Sequence, residues 1–103
     1  MAKKDKAVEP VRTTVIRMEL TSRSSSEVDS VCSDVIRAMK QIGASYSGPI
    51  AMPKTKVSGD DGPYYLHKRL IELDADSRVA VWMSTFSVPE TVAIRCLVVE
   101  KVR

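Results

Sequence analysis

Between residues 15 and 21 the chain alternates strictly, with Ile16, Met18 and Leu20 on one side and Val15, Arg17, Glu19 and Thr21 on the other. Period two over that length predicts a half-buried β-strand. The period then lengthens, as Val28, Val31, Cys32, Val35, Ile36, Met39 and Ile42 recur at the spacing of a single helix face. A helix from 25 or 26 to 42 is expected. Ser24 with Glu27 makes a capping-box pair at its start, where hydroxyl and carboxylate can satisfy free N–H groups of the first turn. Arg37 and Lys40 suit the negative end of the helix dipole, and Gly43 supplies a left-handed exit.

A second strand fits 45–52, interrupted by Gly48-Pro49; Pro49 cannot donate to a ladder, so this segment is expected at a sheet edge or with a bulge. Residues 53–63 hold Pro53 and the run Ser58-Gly59-Asp60-Asp61-Gly62-Pro63 and predict a turn-rich loop. A third strand follows over about 64–73. Tyr65, His67, Arg69, Ile71 and Leu73 share one of its faces and Tyr64, Leu66, Lys68, Leu70 and Glu72 the other, and the pattern leaves open which is inward. Asp76 and Ser77 offer an N-cap for a second helix with Val79, Trp82, Met83 and Phe86 on its inner side. The last strand, 91–100, carries Val92, Ile94, Cys96 and Val98 on one face and Arg95, Leu97, Val99 and Lys101 on the other. The order β-α-β-β-α-β predicts an α+β fold of the ferredoxin-like kind, a four-stranded antiparallel sheet with two helices on one face.

At 103 residues the chain has enough length for one core and not for two. Residues 1–11 mix charges with Ala and Pro10 without periodicity and are expected to be a mobile basic tail before a single domain, 12–103. A hydrophobic fraction of 44% is that of a folded protein. Cys32 and Cys96 fall at apolar positions of a helix and a strand, without metal-ligand spacing, and are expected to be reduced core thiols. The stretch Met1 to Val8 is charged and no apolar run approaches the length of a membrane span, so an intracellular, reducing compartment is expected.

Charge changes the picture through its distribution. Sixteen Lys and Arg against 13 Asp and Glu give a net charge of only +3. Basic residues gather, however, at Lys3, Lys4 and Lys6 in the tail, at Lys54 and Lys56, and at Lys68 and Arg69 beside the cation-capable His67; a hairpin would bring Lys54, Lys56, Lys68 and Arg69 to one end of the sheet. Such a cluster raises phosphate affinity without reading bases. The outward positions of the first and last strands carry Arg17, Arg95 and Lys101 with no aromatic between them, which argues against base stacking on the sheet. His67 is the single histidine and has no partner nucleophile or metal cluster. Asp60 and Asp61 in a Gly-Pro turn read as a solvated pair rather than a catalytic one. No enzyme signature, cofactor site, metal site or small-molecule substrate site is expected.

Four pieces resemble the small-subunit ribosomal protein S-ten family, whose eukaryotic members are called S-twenty, over about residues 10–100. They are Thr21-Ser22-Arg23, Val31-Cys32-Ser33-Asp34-Val35-Ile36-Arg37, the Gly48-Pro49-Ile50-Ala51-Met52-Pro53 run, and His67-Lys68-Arg69-Leu70-Ile71-Glu72-Leu73. The resemblance implies a ferredoxin-like fold and an elongated hairpin loop between the second and third strands. It also implies a place in the head of the small subunit of a cytosolic ribosome, bound to ribosomal RNA and neighbouring proteins. Val8-Glu9-Pro10 is similar to the eukaryotic and archaeal branch. Two departures stand out: Ala51 where the eukaryotic branch usually has Arg, and a short hairpin whose Asp60 and Asp61 should keep residues 57–63 from RNA phosphates. On this reading Arg23, Lys54, Lys56, His67, Lys68 and Arg69 bind RNA and the chain catalyses nothing. The alternatives are a free ferredoxin-like interaction module, such as a regulatory or transcription-complex subunit, and a dimer that binds a small molecule.

Overall fold

Alternation of apolar residues builds the first strand, β1 (Arg12–Ser22), whose Ile16, Met18 and Leu20 are buried while the intervening side chains stay partly exposed. These positions come from a computed structural model, which describes residues 12–102. The expected tail, 1–11, lies outside the described residues. Helix α1 (Ser25–Ile42) buries Val28, Val31, Cys32, Val35 and Met39, the stripe read from its period. Ser24 is the N-cap, its Oγ accepting from the Glu27 N–H at 3.3 Å. The capping box is only half formed, because the Glu27 carboxylate accepts from the Thr91 hydroxyl and the Ser24 N–H donates to Ser22 Oγ instead. Gly43 ends the helix at φ 81°, a left-handed conformation that costs a glycine little.

Strand β2 (Tyr46–Ala51) is a sheet edge with a register shift between Ser47 and Ile50, as Gly48-Pro49 led one to expect. Gly48 has φ +107°, and a Cβ there would stand 2.7 Å from the Leu70 carbonyl oxygen, so the bulge admits no side chain. The 53–63 segment is not the expected loop. Thr55–Gly59 forms a strand, β3, paired antiparallel with the start of β4 (Gly62–Asp74), and only residues 60 and 61 turn between them. The turn-forming residues are concentrated at that tip. Behind it Thr55, Lys56 and Val57 face Leu66, Tyr65 and Tyr64, cross-strand pairs that suit a ladder.

Strand β4 therefore serves twice, as the second arm of the hairpin and, farther along, as a central strand between β2 and β1. Helix α2 (Ser77–Thr85), capped by Asp76, and the edge strand β5 (Val92–Val102) complete the order β2-β4-β1-β5, with every pairing antiparallel and β3 added on β4. This is the ferredoxin-like α+β arrangement with one extra short strand. Ile71 and Leu73 are fully buried, so the face that β4 shares among Tyr65, His67, Arg69, Ile71 and Leu73 is the helix side. Trp82, Met83 and Phe86 pack partly buried against the core, the two rings 4.5 Å apart.

Cys96 departs from expectation. Both thiols are free, but only Cys32 is buried; Cys96 is exposed. The helical layer covers β5 at Val92 and, partly, Ile94, and leaves Cys96 and Val98 beyond its edge, with Val98 76% exposed.

Candidate nucleic-acid interface

The pleat of β4 decides what each cation of His67-Lys68-Arg69 can do, because consecutive side chains of a strand leave on opposite faces. His67 lies opposite Ser22 and Arg69 opposite Leu20, on the helix side, whereas Lys68 lies opposite Thr21 on the open face. Lys68 and Arg69 therefore do not form one cluster. Arg69 is also engaged: its Nε donates to Asp29 Oδ1 of α1 at 2.8 Å and its Nη1 to the Lys68 carbonyl at 3.1 Å. Only 15% of the Arg69 side chain is exposed. It ties α1 to β4, beside the buried Cys32 thiol, whose pKa is raised chiefly by burial, raised further by Asp29 and lowered by Arg69.

The hairpin gathers the other cations around two tyrosines. On the helix-side face of the arm, Lys56 lies directly across the ladder from Tyr65, and the Lys54 ammonium stands 4.6 Å from the centre of the Tyr65 ring. His67 follows two residues along the same face of β4. On the opposite face, the Arg23 guanidinium stacks 3.6 Å over the Tyr64 ring, next to Val57, with Lys68 farther back. Arg23 is delivered there by the end of β1, where Ser22 is buried and accepts from the Ser24 N–H. Arg23, Lys54 and Lys56 are exposed; His67 and Lys68 are half-buried. Asp60 and Asp61 form the exposed tip.

Farther along the open sheet face two cations are engaged with one carboxylate. Arg17 pairs with Glu72 at 3.0 Å and Lys101 pairs with the same carboxylate. These partners hold the Glu72 pKa below the usual carboxylate range, the Lys101 hydrogen bond contributing most. Two of the three cations read from sequence as outward are thus already neutralised, and the third, Arg95, opposite Glu19, stays exposed. A surface hollow of about 410 Å³ lies at that end of β4 near Tyr46 and Asp74, away from the hairpin. Among the described residues no group of His, Cys, Asp and Glu is arranged to hold a metal ion.

Of the six residues singled out by sequence, the structure brings Lys54, Lys56 and His67 together, sets Arg23 and Lys68 on the other face, and commits Arg69 to Asp29. Sequence reasoning missed Tyr64 and Tyr65. Their signal was available: adjacent aromatics in an alternating strand between basic residues leave on opposite faces, each among cations.

A family model described as ribosomal protein S10p/S20e matches residues 17–58, the stretch from β1 through α1 and β2 into β3. Small ribosomal subunit protein uS10 of Halorubrum lacusprofundi is 30% identical over 92 residues, covering 76% of this chain and 90% of the relative. The protein of the same name from Haloarcula marismortui is 29% identical over 92 residues, 76% and 89% of the two chains. That from Methanopyrus kandleri is 25% identical over 96 residues, 80% and 94%.

Proposed function

Because the chain belongs to the ribosomal protein S10p/S20e family, we propose that it is a structural constituent of the small ribosomal subunit. It sits in the head, bound to ribosomal RNA and to neighbouring head proteins of a cytosolic ribosome. The observation that carries this reading is the basic cluster at the hairpin and its root, with Lys54, Lys56 and His67 on one face and Arg23 and Lys68 on the other. A cluster with cations on both faces suits a position between RNA segments. Each cation that meets a phosphate releases a condensed counterion, and such contacts fix orientation without reading sequence. Arg69 supports this surface indirectly by holding β4 against α1. The role is positional, so no catalytic residue, cofactor or small-molecule substrate is assigned.

Protein neighbours have a surface of their own. β5 is an edge strand of 11 residues whose Cys96, Val98 and Val102 are exposed, which suits strand addition or apolar contact with a neighbouring protein.

Sedimentation of a cell extract tests the proposal. The chain should travel with small subunits in near-equal amount to other proteins of that subunit. Recovery at the top of the gradient, free of subunits, overturns it in favour of a free ferredoxin-like interaction module that pairs through its sheet edges.

A further inference from the structure

Tyr64 and Tyr65 are adjacent in β4 and differently placed. Tyr64 is half-buried, capped by Arg23 and packed so closely on β3 that a Cβ at Gly59 would come within 2.8 Å of its ring. Tyr65 leaves on the other face and is 43% exposed, on a two-stranded ribbon outside the core cluster. The core does not use this ring. What surrounds it is basic: Lys56 across the ladder, Lys54 over the ring at 4.6 Å, and His67 two residues along.

An exposed aromatic interleaved with cations is the arrangement by which proteins hold single-stranded nucleic acid, the cations tracking the backbone while a base stacks on the ring. We infer that this face of the hairpin takes an unpaired RNA segment, with one nucleobase stacked on Tyr65 and the flanking phosphates held by Lys54 and Lys56. The inference rests on the RNA-binding reading above and goes beyond it, since neutralisation of phosphate alone needs no aromatic. Lys54 covers the ring through an exposed, flexible side chain. An incoming base displaces the ammonium from the ring, and the ammonium moves to the phosphate of the same strand; a base stack outweighs one exposed cation–π contact. Duplex RNA can meet the lysines through its phosphates but offers the ring no base, because its bases are stacked on one another. Asp60 and Asp61 at the tip turn phosphates away and confine the strand to the root of the arm.

The test measures binding of the full chain to a ten-nucleotide unstructured RNA carrying 2-aminopurine, and to a duplex of the same length, across several salt concentrations. Wild-type protein should quench the 2-aminopurine. Tyr65→Phe should bind like wild type, and Tyr65→Leu should lose roughly 5- to 100-fold in single-strand affinity with its salt slope and duplex binding unchanged. Lys54→Ala with Lys56→Ala should instead weaken both RNAs and flatten the slope by about 1.4 units. Loss on lysine replacement with none on Tyr65→Leu, or without quenching by the wild type, overturns the stacking and leaves the phosphate reading intact. Indifference of RNA binding to all the variants overturns both. Displacement of the RNA by a poly-glutamate peptide of equal length at equal concentration assigns the face to an acidic protein and likewise overturns the inference. A thermal melt of each variant checks the fold, and the quenching by wild-type protein stands even if Tyr65→Leu melts early.

Discussion

Lys68 and Arg69 are neighbours in sequence, yet the pleat turns the lysine to the open face and the arginine onto α1, where its Nε meets Asp29 at 2.8 Å. The Arg69 side chain is largely enclosed and that of Asp29 is 57% exposed. Such a pair lies between a surface ion pair and a buried charge-assisted hydrogen bond, and contributes on the order of 1 kcal/mol. A double-mutant cycle in urea with Asp29→Asn and Arg69→Gln should return a coupling of that size. RNA affinity of the folded Arg69→Gln protein should stay close to that of wild type, whereas Lys56→Ala should lower it. No coupling with Asp29 together with a large affinity loss would assign Arg69 to RNA instead. The cation run itself was legible in the sequence. Its division was not, because the partner of Arg69 lies 40 positions away on another element and the inward face of β4 is set by Ile71 and Leu73 packing under α1.

Helix α1 was legible almost to the residue, since its apolar stripe, N-cap and terminal glycine all point to the same boundaries. Strand β3 was not. Five residues carry too little period to outweigh the Gly, Pro and Asp around them, and what makes them a strand is the partner segment Gly62–Leu66 across the turn. Cys96 was misplaced for a similar reason, as alternation gives its face and only the reach of the helical layer gives its burial. A link between the two helices was also beyond pattern reading. Arg78 donates to the Ile42 carbonyl at the end of α1 at 2.8 Å while its guanidinium pairs with Asp76, the N-cap of α2, at 2.9 Å. Hydrogen bonds from the Arg78 side chain and backbone N–H pull the Asp76 pKa down to about 2, from its ordinary 3.8. A depressed folded-state pKa means that this stabilisation is complete above about pH 4 and is lost as pH falls toward 2. Asp76→Asn should therefore lower the melting temperature at neutral pH and lose that deficit in acid, the two melting curves converging near pH 2. A deficit that persists unchanged at pH 2 would show that the cap matters through hydrogen bonding alone.

At the scale of the molecule, cations divide into those that the fold closes and those that it leaves open, and that division predicts the salt dependence of RNA binding. Arg17 and Lys101 belong to the first set, held by Glu72 on the open sheet, and Arg69 joins them through Asp29. Lys54, Lys56 and Lys68 belong to the second, the first two at the hairpin and Lys68 at its root on the other face. Net charge alone cannot separate the two sets, since every one of these residues counts equally toward +3. Counterion release separates them, because only a cation free to meet a phosphate contributes, each by ~0.7 to the slope of log affinity against log salt for single strands. Replacing Lys54, Lys56 and Lys68 together by alanine should flatten that slope by about two units and weaken binding by a similar factor for unrelated RNA sequences. Lys101→Ala removes the same kind of charge and should leave the slope unchanged, because Glu72 already holds that ammonium. Titration of both variants against two unrelated unstructured RNAs between low and physiological salt decides the matter. If Lys101→Ala flattens the slope as much per charge as the hairpin variant does, RNA lies across the open sheet and the arm is not the anion-binding surface.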